Sequence, residues 1–347
     1  MFEILSTPSF NADKLVDGDE YDYVTRTSFN QGVLRKTGFV NQDNINKEGT
    51  WSLGLLQMDF FYRKNPWYAG QFVRKIVPKI SLDDNSIIFF TTLLNKQKQK
   101  LLNVLVRDVD RTFSNSYIQL PTKDGKIDFE FMDACIRELE EERIRELSAY
   151  LTVSGLDNYE LSSEEKEALD AYDSMVFGEH KFKDIFNNIK QGRRLKKDDQ
   201  VVGNIPFVMS GRTNTGVVGY ISNPIALFSK NSITIDIFGN SFYRSYDFGA
   251  GDDTGVYWND KIQYSKEAML YLTTAMEKTL LGKYSYGKKL RSSQSFNFKV
   301  QLPTKNGKID FEFMELLISA VQKLAIKDVV LYADEKIQST KKIVKES

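Results

Sequence analysis

Between Asn231 and Gly249 the chain reads NSITIDIFGNSFYRSYDFG, with β-branched and aromatic residues alternating with polar ones and broken at Gly, Asn and Asp. Such period-two alternation predicts short strands joined by turns. From Lys266 to Gly282 the apolar spacing becomes helical and predicts one helix. A second helix follows, with an apolar stripe at Met314, Ile318, Val321 and Ala325. The first half repeats this order, its stripe being Met132, Ile136, Leu139, Ile144, Leu147 and Leu151. Ahead of each striped helix stands a proline, then Asp124-Gly125 or Asn306-Gly307, a turn signal that sets the helix start.

In places the repetition is literal. QLPTKDGKIDFEFM from Gln119 and QLPTKNGKIDFEFM from Gln301 agree at 13 of 14 positions, 182 residues apart. Upstream, Tyr23, Asn30, Gly32 and Val33 pair with Phe207, Asn214, Gly216 and Val217 at an offset of 184. Phe61-Tyr62-Arg63 pairs with Phe242-Tyr243-Arg244, and Ala69-Gly70 with Ala250-Gly251, at 181; Thr91-Thr92 pairs with Thr273-Thr274 at 182. A nearly constant offset means two copies of one mixed α/β module and excludes a short-repeat solenoid. The motif's constancy is what antiparallel packing of two equivalent helices would impose, since it puts one surface twice in the same environment. A helix of about 20 to 25 residues spans roughly 30 to 37 Å, near one turn of B-form DNA, about 34 to 36 Å.

Composition narrows the function. The chain's 347 residues suit two ordinary domains, and 41% hydrophobic residues suffice for their cores. No apolar run is long enough to span a bilayer, and MFEILSTPSFNADK lacks the basic start of a signal peptide, so a cytoplasmic protein without membrane contact is expected. The lone Cys135 reads as packing and the lone His180 as a solvated or structural residue, leaving no zinc cluster. Formal net charge is zero, yet Asp133 to Asp170 holds twelve acidic against four basic residues, which leaves the rest of the chain at +8. That acidic connector reads as a solvated face or a docking surface that keeps DNA away, and the two bodies read as basic.

Catalytic signatures are missing. No two prolines adjoin, which excludes the (Asp/Asn)-Pro-Pro-(Tyr/Phe) motif of an amino-methyltransferase, and no Gly-Lys pair continues into a P-loop. FGAGDDTG from Phe248 lacks the third glycine of a dinucleotide site and reads as a turn.

The order module, helix, module, helix, with (V/I)QLPTK(D/N)GKIDFEFM leading each helix, resembles the specificity subunit of type I restriction-modification systems. It resembles still more the specificity chain of the two-component, Bcg-like type IIB systems. The openings of the bodies, FEILSTPSFNADKLVDGDEYDYVTRTSFNQGV and FKDIFNNIKQGRRLKKDDQVVGNIPFVMSGRTNTGVVGYISN, resemble the start of a target-recognition domain. The resemblance implies an α+β, pseudo-two-fold architecture. Target-recognition domains at 1–120 and 174–302 would be separated by spacer helices at 121–173 and 303–347, packed as an antiparallel coiled coil. It further implies a non-catalytic chain that binds double-stranded DNA, each domain reading half of a bipartite site. Partners would be methyltransferase or fused nuclease-methyltransferase subunits. No cofactor is expected in this chain; S-adenosylmethionine and Mg²⁺ belong on the partners.

Candidate DNA contacts are polar residues clustered with glycine in corresponding loops. In the first body these are Thr25, Arg26, Thr27, Asn30 and Gln31, followed by Arg35; in the second, Ser210, Arg212, Thr213 and Asn214, with Arg193 and Arg194. Arg63 and Arg244 are candidates for phosphate, and the matched Asn30/Asn214 and Gly32/Gly216 also suit a purely structural turn. Two other classes stay open: a duplicated-domain Mg²⁺-dependent nuclease using acids such as Asp252 and Asp253, and an interaction scaffold that binds no DNA.

Overall fold

The computed structural model describes the backbone of residues 1–346 and the side chains of residues 1–340. Two compact units comprise it: unit 1, residues 1–146 with 340–347, and unit 2, residues 147–339. The division falls within a helix rather than between the bodies.

Unit 1 holds the strands β1 (Phe2–Ser6), β2 (Tyr21–Val24), β3 (Val33–Thr37), β4 (Ile45–Asn46), β5 (Thr50–Gly54), β6 (Phe60–Arg63), β7 (Trp67–Ala69) and β8 (Val73–Pro78). They form two sheets, ordered β1-β8-β5-β6 and β3-β2-β7-β4, with β2 and β7 parallel and the other pairs antiparallel. The first sheet packs Trp51, Leu53, Phe60 and Ile76 against Ile87, Phe90 and Leu94 of α1 (Asp84–Lys96). Two short helices, α2 (Lys98–Leu102) and α3 (Val109–Ser114), close the core with Leu101, Val109 and Phe113.

The repeated motif comes next. It is a hairpin of β9 (Thr122–Lys123) and β10 (Lys126–Ile127), whose turn residues Asp124 and Gly125 both have positive φ, 50° and 75°. Two successive left-handed residues define the tight hairpin turn that Asp-Gly favours. Asp128 then caps α4 (Phe129–Val153), its carboxylate accepting the Phe131 N–H at 2.9 Å. Met132, one turn in, is fully buried in the core of unit 1.

Unit 2 opens with α5 (Ser163–Ala171), capped by a reciprocal Ser162/Glu165 box, and β11 (Phe177–Lys181), followed by the four-residue α6 (Phe182–Ile185). Its body contains β12 (Asn188–Gln191), β13 (Val202–Val208), β14 (Val217–Ile221), β15 (Leu227–Phe228), β16 (Ser232–Asp236), β17 (Ser241–Arg244), β18 (Phe248–Ala250) and β19 (Thr254–Trp258). The sheets are β12-β19-β16-β17 and β14-β13-β18-β15, with β13 and β18 parallel, so the topology of unit 1 recurs strand for strand. The helix α7 (Lys266–Leu280) takes the place of α1 and buries Ala268, Met269, Leu272 and Met276 against Ile233, Ile235 and Tyr257. After it come β20 (Lys299–Lys305), β21 (Lys308–Ile309) and α8 (Phe311–Glu346). Asn306 and Gly307 again have positive φ, 53° and 75°, Asp310 again caps the helix, and Met314 is again fully buried.

The motif is therefore held constant chiefly because it roots each helix in its own body. Helix packing enters further along, in unit 2, where Leu151 is buried with Val330 and Ala333, flanked by Leu147 and Ile326. The expected stripe on α8 differs there: Val321 and Ala325 face outward, while Ala320, Val330 and Ala333 are buried. On α4, Leu139 is likewise exposed. The stripe shifts because Met314 and Leu317 answer to the body and its α5 cover, whereas Val330 and Ala333 answer to α4.

Candidate nucleic-acid interface

In unit 1 the turn between β2 and β3 folds on itself, Thr25 N–H donating to Gly32 O at 2.8 Å. Asn30 and Gln31 both sit in the left-handed region, φ 46° and 52°. Asn30 Nδ2 reaches Val33 O at 3.3 Å, so the side chain sustains the turn it begins. Unit 2 builds the same turn. Met209 N–H donates to Gly216 O at 2.9 Å, Asn214 and Thr215 have φ 47° and 51°, and Asn214 Nδ2 reaches Val217 O at 3.3 Å. Positive φ is strained for a β-branched residue such as Thr215.

What holds this backbone is the pair of arginines expected at phosphate, and the expectation is corrected here. Arg63 is 4% exposed and Arg244 1%. Arg63 donates from Nε and Nη2 to Ser52 Oγ, at 3.0 and 2.8 Å, and from Nη2 to Gln31 O. Arg244 donates to Thr215 O at 2.6 Å, Thr215 Oγ1 at 3.1 Å, Thr234 Oγ1 at 3.0 Å and Tyr246 OH at 3.1 Å. Each guanidinium lies within 6.0 Å of two aromatic rings, Phe61 and Trp67 or Phe242 and Phe248. Burial pushes the Arg63 guanidinium down to about 10 and lowers Arg244 as well. A charge this desolvated is tolerated because it is hydrogen-bonded, through Nε and Nη2 in Arg63 and through all three nitrogens in Arg244, so both residues act as internal clamps on the loop backbone rather than as surface phosphate contacts.

The remaining candidates divide by exposure. Arg26 is exposed, its guanidinium 5.2 Å from the Phe72 ring, and with Thr25 and Thr27 it lines a 410 Å³ cleft beside Asn11, Gln57 and Gln71. Thr27 Oγ1 accepts the Phe29 N–H at 3.2 Å, and Phe29 itself is exposed at the loop tip. Gln31 and, on β3, Arg35 are also exposed. In unit 2, Arg212 is exposed, and its Nε donates to Asn240 Oδ1 at 2.6 Å while Nη2 lies 3.4 Å from Glu277. Asp236 organises that loop, accepting from Gly211 N–H at 3.0 Å, Ser210 Oγ at 3.2 Å and Asn240 Nδ2 at 2.8 Å; Asp253 accepts Ser210 N–H at 3.0 Å. Thr213 and Asn214 are exposed beside them. Arg193 and Arg194 line a separate 880 Å³ cleft with Lys190, Arg291, Gln191 and Trp258. Gly192 sets its floor: a side chain there would strike the carbonyls of Ala250 and Gly251.

Sequence reasoning missed Lys190 and Arg291, which join this basic cleft from strands and loops far apart in the chain. Only the Lys190-to-Arg194 basic run signalled it. His180 lies within β11 opposite Val300, its Nε2 buried without a hydrogen-bond partner. Among the described residues no three of His, Cys, Asp and Glu gather to hold a metal, and no helix is long and apolar enough to cross a membrane.

Two tandem bodies repeat one topology, each presenting a clamped polar loop between two strands, so the chain is a duplicated two-domain protein. Residues 1–149 and 177–331 match the family described as the type I restriction modification DNA specificity domain, and the chain belongs to that family. It is a DNA-specificity subunit, the recognition component of a restriction-modification system and not an enzyme. It is 24% identical to the specificity subunit S.BcgI of a type II restriction enzyme from Heyndrickxia coagulans, over 74% of this chain and 72% of that protein. Its fold is similar to the crystal structure of the type I restriction-modification S subunit from M. genitalium, with a TM-score of 0.58 at 15% identity, covering 99% of this chain and 91% of the other.

Proposed function

We propose that each unit reads one half of a bipartite double-stranded DNA site, and that α4 and α8, paired antiparallel, set the spacing and dock methyltransferase subunits. The observation that carries this is a shared loop frame with unshared letters. Thr25-Arg26-Thr27-Ser28 stands where unit 2 has Met209-Ser210-Gly211-Arg212, while Asn30, Gly32 and the arginine clamp coincide. Reading two different half-sites requires that combination, because base edges are discriminated by side-chain donors and acceptors on a fixed backbone. Exposed Arg26, Arg35, Arg193, Arg194 and Arg212 supply the cationic contacts, and Gln31, Ser210, Thr213 and Asn214 the polar ones. S-adenosylmethionine and Mg²⁺ are assigned to the partners, in the cytoplasm.

The test is to exchange residues 25–31 for residues 209–215 in cells that also make the catalytic partners, and to map methylated adenines across the genome. One half of the modified sequence is expected to change while the other half and the spacing stay. A change in both halves, or in neither, would sink the proposal.

A further inference from the structure

Lys190, Arg193, Arg194 and Arg291 all line the 880 Å³ cleft of unit 2, against the single acid Asp252. Lys190, Arg193 and Arg194 are exposed, and among the described residues none of the three has a carboxylate partner. Lys190 Nζ lies 5.5 Å from the centre of the Trp258 ring, which packs on Phe228 at 6.0 Å and gives the cleft an apolar wall. Arg291 Nη1 donates to Asp252 O at 2.7 Å and Gln191 Nε2 to the same oxygen at 3.0 Å, which braces the rim. Like charges gathered without counter-ions repel one another, and an anion in the cleft relieves them.

Unit 1 carries no cation at the corresponding positions. The strand registers match β1 and β8 to β12 and β19, so Leu5 stands for Lys190 and Val77 for Trp258. Phe10 N–H donates to Ala69 O as Arg193 N–H does to Ala250 O, which puts Phe10 and Asn11 in place of Arg193 and Arg194. At the offset of 182, Val109 stands for Arg291. Neighbouring cations of unit 1 are placed otherwise: Arg74 pairs with Asp110 at 3.0 Å, and Lys75 is half-buried.

In unit 2 the cleft and the reading turn hang from one short segment. Ala250 O holds the Arg193 N–H at 2.8 Å, Asp252 O holds Arg291 and Gln191, and the next residue, Asp253, accepts the Ser210 N–H at 3.0 Å. Three residues separate the outer anchors, a span of at most about 11 Å, close to the width of a major groove, about 12 Å. A duplex that presents base edges to the turn therefore runs a backbone strand within reach of the cleft. We propose that the cleft is a phosphate grip for that strand, a grip that unit 1 lacks, so that both units read while unit 2 also holds. The inference rests on reading the units as DNA readers. A free polyphosphate shares the chemistry, but the segment common to cleft and turn favours the duplex.

The full chain, bound at several salt concentrations to a duplex carrying the sequence found by the methylation map, tests this. Lys190→Gln, Arg193→Gln and Arg194→Gln together are expected to lower affinity at least tenfold at low salt and to reduce the slope of log K against log salt by about 2 to 3, near 0.9 for each phosphate neutralised. Both halves of the recognised sequence are expected to stay as they are. Neutral methylphosphonates in place of the phosphates bordering the half read by unit 2 are expected to weaken the unaltered chain by a similar factor and the triple variant little; the same replacement at the other half weakens both proteins alike. Because the two replacements are compared first on the unaltered chain, a variant that fails to fold leaves the test decisive. Equal losses at the two halves, an unchanged slope, or a shift in the recognised sequence would overturn the grip. So would inorganic triphosphate raising the melting temperature of the unaltered chain, and not of the variant, while the slope stays the same, since the cleft would then be a small-anion site. Failure of the exchange of residues 25–31 strikes the reading proposal, whereas an unchanged slope strikes the grip alone.

Discussion

Arg26 lies in the turn between β2 and β3 and Arg63 on β6 beneath it; they carry the same charge, yet the fold treats them oppositely. Arg63 spends its donors on Ser52 Oγ and on the carbonyl of Gln31, whereas Arg26 keeps its guanidinium at the cleft. The two are separable by salt. Arg26→Ala is expected to weaken DNA binding and to reduce the slope of log K against log salt by about 0.9 if it neutralises one phosphate. Arg63→Met is expected to leave that slope unchanged, to lower the preference for the cognate sequence, and to cost about 1–3 kcal/mol of stability, because Gln31 O loses its donor. Titrations at several salt concentrations, with thermal unfolding alongside, check both; a slope reduced by Arg63→Met would restore it to the phosphate contacts. Nothing in the local sequence betrays this burial, since arginine is a surface residue by default. The usable signal was the recurrence of Phe-Tyr-Arg about 30 residues after each of two Asn-x-Gly turns.

At the scale of elements, the hairpin before each long helix is the most exacting piece. Gly307 has φ 75° in a turn whose first residue, Asn306, is also left-handed. Gly307→Val is expected to cost roughly 1–2 kcal/mol, read as a fall in melting temperature, while Asn306→Asp should be nearly neutral because Asp124 already fills that place. The α5 cover adds a pH dependence. Burial alone would raise the Glu165 carboxyl, but hydrogen bonds from Ser319, Lys323 and the Ser162 N–H bring it below its ordinary value. A carboxylate depressed in the folded state stabilises above the ordinary carboxylate range and loses that contribution as pH falls through its folded value. Unit 2 is thus expected to lose stability on acidification below about pH 4, and Glu165→Gln to be less stable at neutrality but flatter in acid. Equal acid slopes for both proteins would contradict this. Of these elements, the strands of Asn231–Gly249 and the helix from Lys266 were legible, because alternation and helical spacing persist long enough to be read. The motif's two-residue strands β9, β10 and β21 were not, since two residues are too few to alternate, although its turn was visible. Nor was α5 foreseen as a cover, even though Ser162-x-x-Glu165 is a capping box and Ala168-Leu169 an apolar face.

For the molecule as a whole, the acidic connector makes a net-neutral chain electrostatically uneven. Replacing the exposed Glu138 and Glu142 by Lys is expected to raise binding to an unrelated duplex several-fold at low salt and to have no effect at high salt. Fluorescence anisotropy would measure it, and an unchanged affinity would mean the acid merely solvates the helix. Duplication was legible at this scale because a fixed offset needs no structure to be seen. The sharing of labour between clamp and contact was not, because it depends on which of two like charges the fold encloses.

The clamp of unit 1 grips a main-chain oxygen, which every amino acid carries, and ignores the side chain of Gln31. A substitution at Arg26, or one at Gln31 that tolerates its left-handed backbone, is therefore expected to leave the anchorage intact. If these residues read DNA as proposed, a new half-site preference is reachable by single substitutions that keep this anchor bonded.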